Sequence, residues 1–265
     1  MQFHSEDGLE LLSRFNEKLQ SINPDEVLFS DIDNKSVIEI VGGLSTGKTL
    51  LLCQFIAKCI LPERYNGIKI NGHNVHAILI DTLGHIRMSK VAELMSSMIR
   101  NIADTQLAVD TIDLIVNKSL ENLTVISCCN NEQLQLTLHM LEDELIRNNR
   151  VAMLAIDNIL AYYWQERRTK ILSMDQYAKS LIKLIQLRMS QFHIMTIYTK
   201  WDEPVHEHKA HLKYTNVLEG TDINYRLQLC KNTVTHEFIA NIQSAKNVRQ
   251  IRYSIFDSGI KWILQ

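Results

Sequence analysis

Residues 42–49 read Gly42-Gly43-Leu44-Ser45-Thr46-Gly47-Lys48-Thr49 and fill every fixed position of the pattern G-x-x-x-x-G-K-[ST]. The chemistry asks for these residue types. Glycines let the backbone curl so that successive N–H groups converge on phosphate oxygens. A helix that starts at the end of the run adds the positive end of its dipole. Lys48 would reach the β- and γ-phosphates of ATP, and the Thr49 hydroxyl would ligate Mg²⁺. The alternative is an incidental glycine-rich turn between a strand and a helix. The other half of such a site is an acid at the tip of a buried strand. Asp157 ends Val151-Ala-Met-Leu-Ala-Ile and suits that role, holding Mg²⁺ through water. Its plainer role would be to cap the next helix. Asp81, at the end of a similar run from Val75, is the competing acid.

The surrounding elements must place these groups. Val37 to Val41 is a short apolar strand running into the glycines, and a helix is expected from Lys48 to Ile60, closed by Pro62. A loop with Gly67 and Gly72 follows. Val75 to Asp81 and Val151 to Asp157 are nearly unbroken apolar runs, as strands buried on both faces of a sheet require. Met88 to Ile102, Glu132 to Asn148 and Asp175 to Gln191 carry apolar residues at helical spacing, with strands at Leu123–Ser127 and Ile194–Thr199. Strand and helix alternate, which predicts an α/β fold with a mostly parallel sheet flanked by helices. Three strands without intervening helices then follow, starting at Arg226, Glu237 and Ile251, and predict an antiparallel extension at one sheet edge. Residues 9–19 place apolar side chains on one helix face, and 22–35 read as a polar connector. Residues 1–35 are thus expected to be an N-terminal helix and connector, and 36–265 the core.

The 265 residues carry 46% hydrophobic and 22% charged side chains, with only 9 Gly and 3 Pro, which excludes wholesale disorder and a Gly/Pro-rich all-β domain. Net charge is −2, whereas a protein holding nucleic acid alone through many phosphates is usually basic. Cys53, Cys59, Cys128, Cys129 and Cys230 form no CxxC pair and no zinc spacing, so reduced buried thiols are expected. No apolar run is long enough for a membrane span, and no partner in a membrane is expected.

Ile38-Glu39-Ile40 before the phosphate loop, Ile80-Asp81-Thr82-Leu83-Gly84 with Arg87, and Leu154-Ala-Ile-Asp157 together resemble the RecA-like recombinases of eukaryotes. The resemblance runs from about residue 36 to 265 and includes the strand Tyr225–Lys231. Ala57-Lys58-Cys59-Ile60-Leu61-Pro62 and Ala161-Tyr162-Tyr163-Trp164, with Glu10-Leu11-Leu12, are similar to the short paralogues within that family. It implies a RecA-like phosphate-loop ATPase core, ATP and Mg²⁺ as ligands, and recombination repair of double-strand breaks in the nucleus. It also implies work in a complex of related paralogues, with DNA met through that complex.

Two positions depart from the family. Leu83 stands where active members carry a glutamate that activates water, so weak or absent hydrolysis is expected. Loss of a general base costs about 10²–10⁴-fold. Glu39 could in principle substitute, but a strand position favours a structural role. At the end of the Ile194 strand, where a γ-phosphate-sensing Gln is usual, stand Thr199 and Lys200. The lysine could touch phosphate, stay solvated or pair with a neighbouring subunit. By family position two loops face DNA, with Arg167, Arg168 and Lys170 in the first and Lys209 and Lys213 in the second; the alternative is that both are solvated. His206, His208 and His211 do not suit zinc. An active DNA-stimulated ATPase and an unrelated phosphate-loop kinase are the competing functions.

Overall fold

The computed structural model describes residues 21–102, 107–167, 173–189, 191–201, 223–232 and 235–264. Along the chain these give β1 (Val37–Gly42), α1 (Lys48–Ile60), a small hairpin β2 (Arg64–Tyr65) and β3 (Ile68–Lys69), and β4 (His76–Asp81). Then come α2 (Met88–Ile102), α3 (Val109–Leu120), β5 (Leu123–Ser127), α4 (Asn131–Arg147) and β6 (Val151–Asp157). A single turn α5 (Tyr163–Glu166), α6 (Met174–Met189) and β7 (Met195–Trp201) follow, and four strands close the chain: β8 (Tyr225–Lys231), β9 (Phe238–Ser244), β10 (Val248–Phe256) and β11 (Gly259–Ile263).

Nine strands form one sheet in the order β11-β10-β9-β8-β1-β7-β6-β4-β5. From β5 to β8 neighbours are parallel, and from β8 to β11 they are antiparallel. The unbroken apolar runs have their cause here, because helices cover both faces. Ala77, Leu79, Met153, Ala155 and Ile197 point to one face, where they pack with α1, α2 and α3. Ile78, Ile80, Leu154, Ile156 and Tyr198 point to the other and meet α4 and α6. A two-residue period on each strand thus fills two cores. The α/β class and the antiparallel ending stand as expected.

Four features differ from expectation. The strand from Tyr225 is not the first antiparallel one: it lies parallel to β1, with Ile38 opposite Tyr225, and the antiparallel strands are β9, β10 and β11. The orientation of a strand is set by its neighbour, so its own residues could not reveal it. A fourth late strand, β11, returns from β10 through a tight turn in which Gly259 takes φ +114. Helix α3 was not among the expected elements, although Ile112, Ile115, Val116 and Ser119 are buried at helical spacing. Its clustered β-branched residues blur the period. The connector also contributes to the core: Ile22, Leu28 and Phe29 are buried, and Phe29 meets Phe55 and Tyr225 edge-on. The helix expected over 9–19 lies outside the described residues. Among the described residues no helix is long and apolar enough to cross a membrane.

Candidate functional site

The site is built at the carboxyl end of β1, the position where open α/β sheets take their ligands. Gly42 ends the strand between Trp201 of β7 and Leu229 of β8. A Cβ there would lie 2.4 Å from the Leu229 carbonyl oxygen and 2.8 Å from Thr46 Oγ1, so only glycine fits. The turn then passes through left-handed backbone at Ser45 (φ +56) and Gly47 (φ +91). Gly43, Leu44 and Ser45 face solvent. The Thr46 hydroxyl donates to the Gly43 carbonyl at 3.0 Å, and Lys48 Nζ folds back to the same oxygen at 2.6 Å. Helix α1 has no side chain capping its start and no acid in its first turn. Its first N–H groups and dipole are therefore open to an anion.

The loop is buttressed from the C-terminal strands. Tyr253 of β10, almost wholly buried, donates its hydroxyl to the Thr46 carbonyl at 2.7 Å. Ile255 and Ile260 pack against Gly47, where a Cβ would stand 3.1–3.2 Å from their methyl carbons. Sequence reasoning missed this contact because 207 residues separate the partners.

Across the site, Thr49 Oγ1 donates to Asp157 Oδ2 at 2.7 Å, and the Thr199 hydroxyl donates to Oδ1 of the same carboxylate. The structure thus brings together the two residues expected at the metal. It also separates the two competing acids. Asp81 spends its carboxylate on its own loop: Oδ1 accepts the N–H groups of Leu83, Gly84 and His85, and Oδ2 that of Ile86. Thr82 accepts the Asn158 N–H at 2.7 Å, tying the loop to the tip of β6. Leu83 therefore stands on a backbone held by the Asp81 carboxylate, next in chain to the Thr82 that meets the tip of β6. Cys53, one turn along α1 from Thr49, is pushed up to about 12 by burial and then by the charges of Asp157 and Asp81, which keeps it a neutral thiol.

Lys200 is largely buried and paired within the chain rather than solvated. Its ammonium lies 2.6 Å from Asp175 Oδ1 at the start of α6 and 3.8 Å from Glu39 Oε1. The hydrogen bond from Lys200 holds Asp175 below the ordinary carboxylate range. Glu39, almost fully buried, also takes the Arg226 guanidinium and the Tyr198 hydroxyl, which donates at 3.0 Å. Burial, followed by the Glu39 charge, pushes the Tyr198 phenol above its usual range. This network occupies Glu39 within the sheet.

Of the residues expected in the first DNA-facing loop, Arg167 lies directly after the turn α5 (Tyr163–Glu166). Its guanidinium is 5.3 Å from the centre of the Trp164 ring. Arg168, Lys170, Lys209, Lys213 and the three histidines of 206–211 lie outside the described residues. Among the described residues no cluster of His, Cys, Asp or Glu could hold a metal through three such ligands.

Comparison with known proteins places these features. The chain is 29% identical over 168 residues to the DNA repair protein XRCC2 of Mus musculus, covering 62% of this chain and 55% of that one. It is 25% identical over 174 residues to the DNA repair protein XRCC2 homolog of Arabidopsis thaliana, covering 56% of this chain and 47% of the other. The chain thus spans about half the length of the curated relatives it matches. A family model described as Rad51 matches residues 18–202, which hold β1 with its phosphate loop, Thr49, Leu83 and Asp157. The chain belongs to the Rad51 family.

Proposed function

We propose that this chain is an ATP-binding subunit of recombination repair that assists repair of DNA double-strand breaks in the nucleus, within a complex of related paralogues. Its hydrolysis of ATP is weak or absent. The observation that carries the ATP reading is the Thr49–Asp157 pair, 2.7 Å apart, at the mouth of a loop where Gly42 and Gly47 admit no side chain without displacement or strain. Gly42 to Thr49 would hold the triphosphate through backbone N–H groups, with Lys48 on its outer oxygens. Thr49 would ligate Mg²⁺, and Asp157 would hold the metal's water. The bound metal would neutralise phosphate charge. Weak hydrolysis is supported by the fate of the acids. Asp81 is committed to four N–H groups, Glu39 to Arg226, Tyr198 and Lys200, and position 83 is aliphatic. The repair role rests on the Rad51 family and on the relatives named for DNA repair. DNA is met by Arg167, Arg168, Lys170, Lys209 and Lys213 as part of the complex, since the net charge of −2 gives the chain little phosphate affinity alone.

Two measurements test this. The purified chain is denatured and its released nucleotide identified, with Lys48→Ala alongside. The chain is also mixed with other Rad51-family paralogues and followed by size-exclusion chromatography. ATP in the wild type, its loss in the variant and a stable mixed complex are expected. Neither nucleotide nor complex would overturn the reading.

A further inference from the structure

The sequence holds two Asn-Gly pairs close together, Asn66-Gly67 and Asn71-Gly72. The fold treats them in opposite ways. Asn66 (φ +47) and Gly67 (φ +83) are the central residues of the β2–β3 hairpin, with Tyr65 opposite Ile68 on either side. Positive φ at both is what a two-residue turn needs to match the strand twist, and Asn-Gly meets it well. Both residues are exposed, and a Cβ added at Gly67 would find nothing within 4 Å. Among the described residues, neither the Gly67 N–H nor the Asn66 side-chain amide has a hydrogen-bond partner. The hairpin has two residues in each strand and stands outside the nine-stranded sheet, so it opens at little cost.

Asn71-Gly72 is locked. Every N–H from Ile70 to Val75 is bonded. Those of Ile70 and Asn71 go to the Glu63 carbonyl, that of Gly72 to Pro62 at 3.1 Å, and those of His73, Asn74 and Val75 to Lys58, Leu61 and Cys59. Gly72 is buried, and a Cβ there would lie 2.0 Å from the Leu61 carbonyl oxygen, so its backbone has no room to turn.

We propose that Asn66 is a site of spontaneous deamidation, and that the isoaspartate it yields makes this turn a substrate for an isoaspartate carboxyl methyltransferase. The Gly67 nitrogen attacks Asn66 Cγ, and the Cγ–Nδ2 bond breaks. Nδ2 leaves as ammonia with the proton of the Gly67 N–H, and a five-membered imide remains. Water opens the imide at Cγ to give aspartate, or at the Asn66 main-chain carbonyl to give isoaspartate. Glycine puts no side chain in the way of the attack, and the attacking nitrogen must lose its proton, so the rate rises with pH. Either product adds one negative charge to a chain whose net charge is −2. Isoaspartate also adds one carbon to the backbone of the turn, which breaks the register of Tyr65 with Ile68. Both of those side chains pack partly against the core around α1. The proposal goes beyond the nucleotide reading and does not depend on it.

The test uses the full wild-type chain, held at mildly alkaline pH and sampled over days. Trypsin cuts after Arg64 and Lys69, which puts Asn66 and Asn71 on separate peptides. Mass spectrometry should find the amide replaced by an acid at Asn66 at least about tenfold faster than at Asn71, the protection that one kept hydrogen bond provides. An isoaspartate methyltransferase with labelled S-adenosylmethionine should mark the Asn66 peptide of the aged chain and neither peptide of the fresh one. In Asn66→Gly, which suits the same turn, that label should vanish. In urea, where the fold is lost, the two asparagines should convert at similar rates. An intact Asn66 in the aged chain, conversion of Asn71 as fast as that of Asn66, undiminished label in Asn66→Gly, or the same difference between the two sites in urea overturns the proposal.

Discussion

Asp157 is the residue on which the candidate site turns. Its two oxygens each accept a hydroxyl, from Thr49 on α1 and Thr199 on β7, and the side chain is 5% exposed. A single carboxylate thus joins the phosphate-loop helix to the central strands. Replacing it by Asn keeps the size and an acceptor but removes the charge that a metal's water would need. Asp157→Asn is therefore expected to abolish the Mg²⁺-dependent part of nucleotide affinity, a loss of about 10–100-fold. Titration with a fluorescent ATP analogue, with and without Mg²⁺, checks it. An unchanged Mg²⁺ effect would mean the metal is held elsewhere. An acid at the tip of a buried strand was legible in sequence, but two runs end in one, and only the fold shows that Asp157 meets Thr49 while Asp81 serves its own loop. Lys200 was not legible: its partners Asp175 and Glu39 come from α6 and β1, and only the folded sheet brings them together.

At the scale of elements, the late strands shape the site as much as the early motif does. Strand β10 reaches the loop through Tyr253, and β10 and β11 supply the isoleucines against Gly47. Tyr253→Phe keeps the packing and leaves the Thr46 carbonyl without its donor, which costs about 1 kcal/mol. ATP affinity should fall by about fivefold with little change in fold, as calorimetry of ATP binding would reveal; equal affinity would show the loop needs no such support. The connector gives a pH effect. His73 Nε2 lies 2.8 Å from the Asn23 carbonyl, and burial holds its pKa below 6.5. As pH falls through 6.5 the unfolded chain takes up a proton that folded His73 refuses, so stability drops on the acid side and is regained above. Melting temperature should therefore fall between about pH 7.5 and about 5.5, and fall less in His73→Gln. Identical profiles would contradict that. The alternation of strands and helices was legible because each has its own period. The pairing of β8 with β1 was not, since a strand's direction depends on what lies beside it.

Across the whole molecule, the arrangement ties distant parts of the chain to one small loop. The phosphate loop follows β1 at residue 42, the acid proposed for the metal ends β6 at 157, and the supporting phenol comes from 253. A ligand bound among them at about 100 times its Kd would stabilise the fold by about 2.7 kcal/mol. Nucleotide can then act as a structural part of a subunit that seldom consumes it, which is the central claim. The most direct test is single-turnover hydrolysis of ATP by the wild-type chain and by Leu83→Glu, each with its bound ATP counted. The account predicts ATP bound by both proteins, scarcely any hydrolysis by the wild type, and a rate at least about 100-fold higher in the variant. Wild-type hydrolysis as fast as that of Leu83→Glu would contradict it.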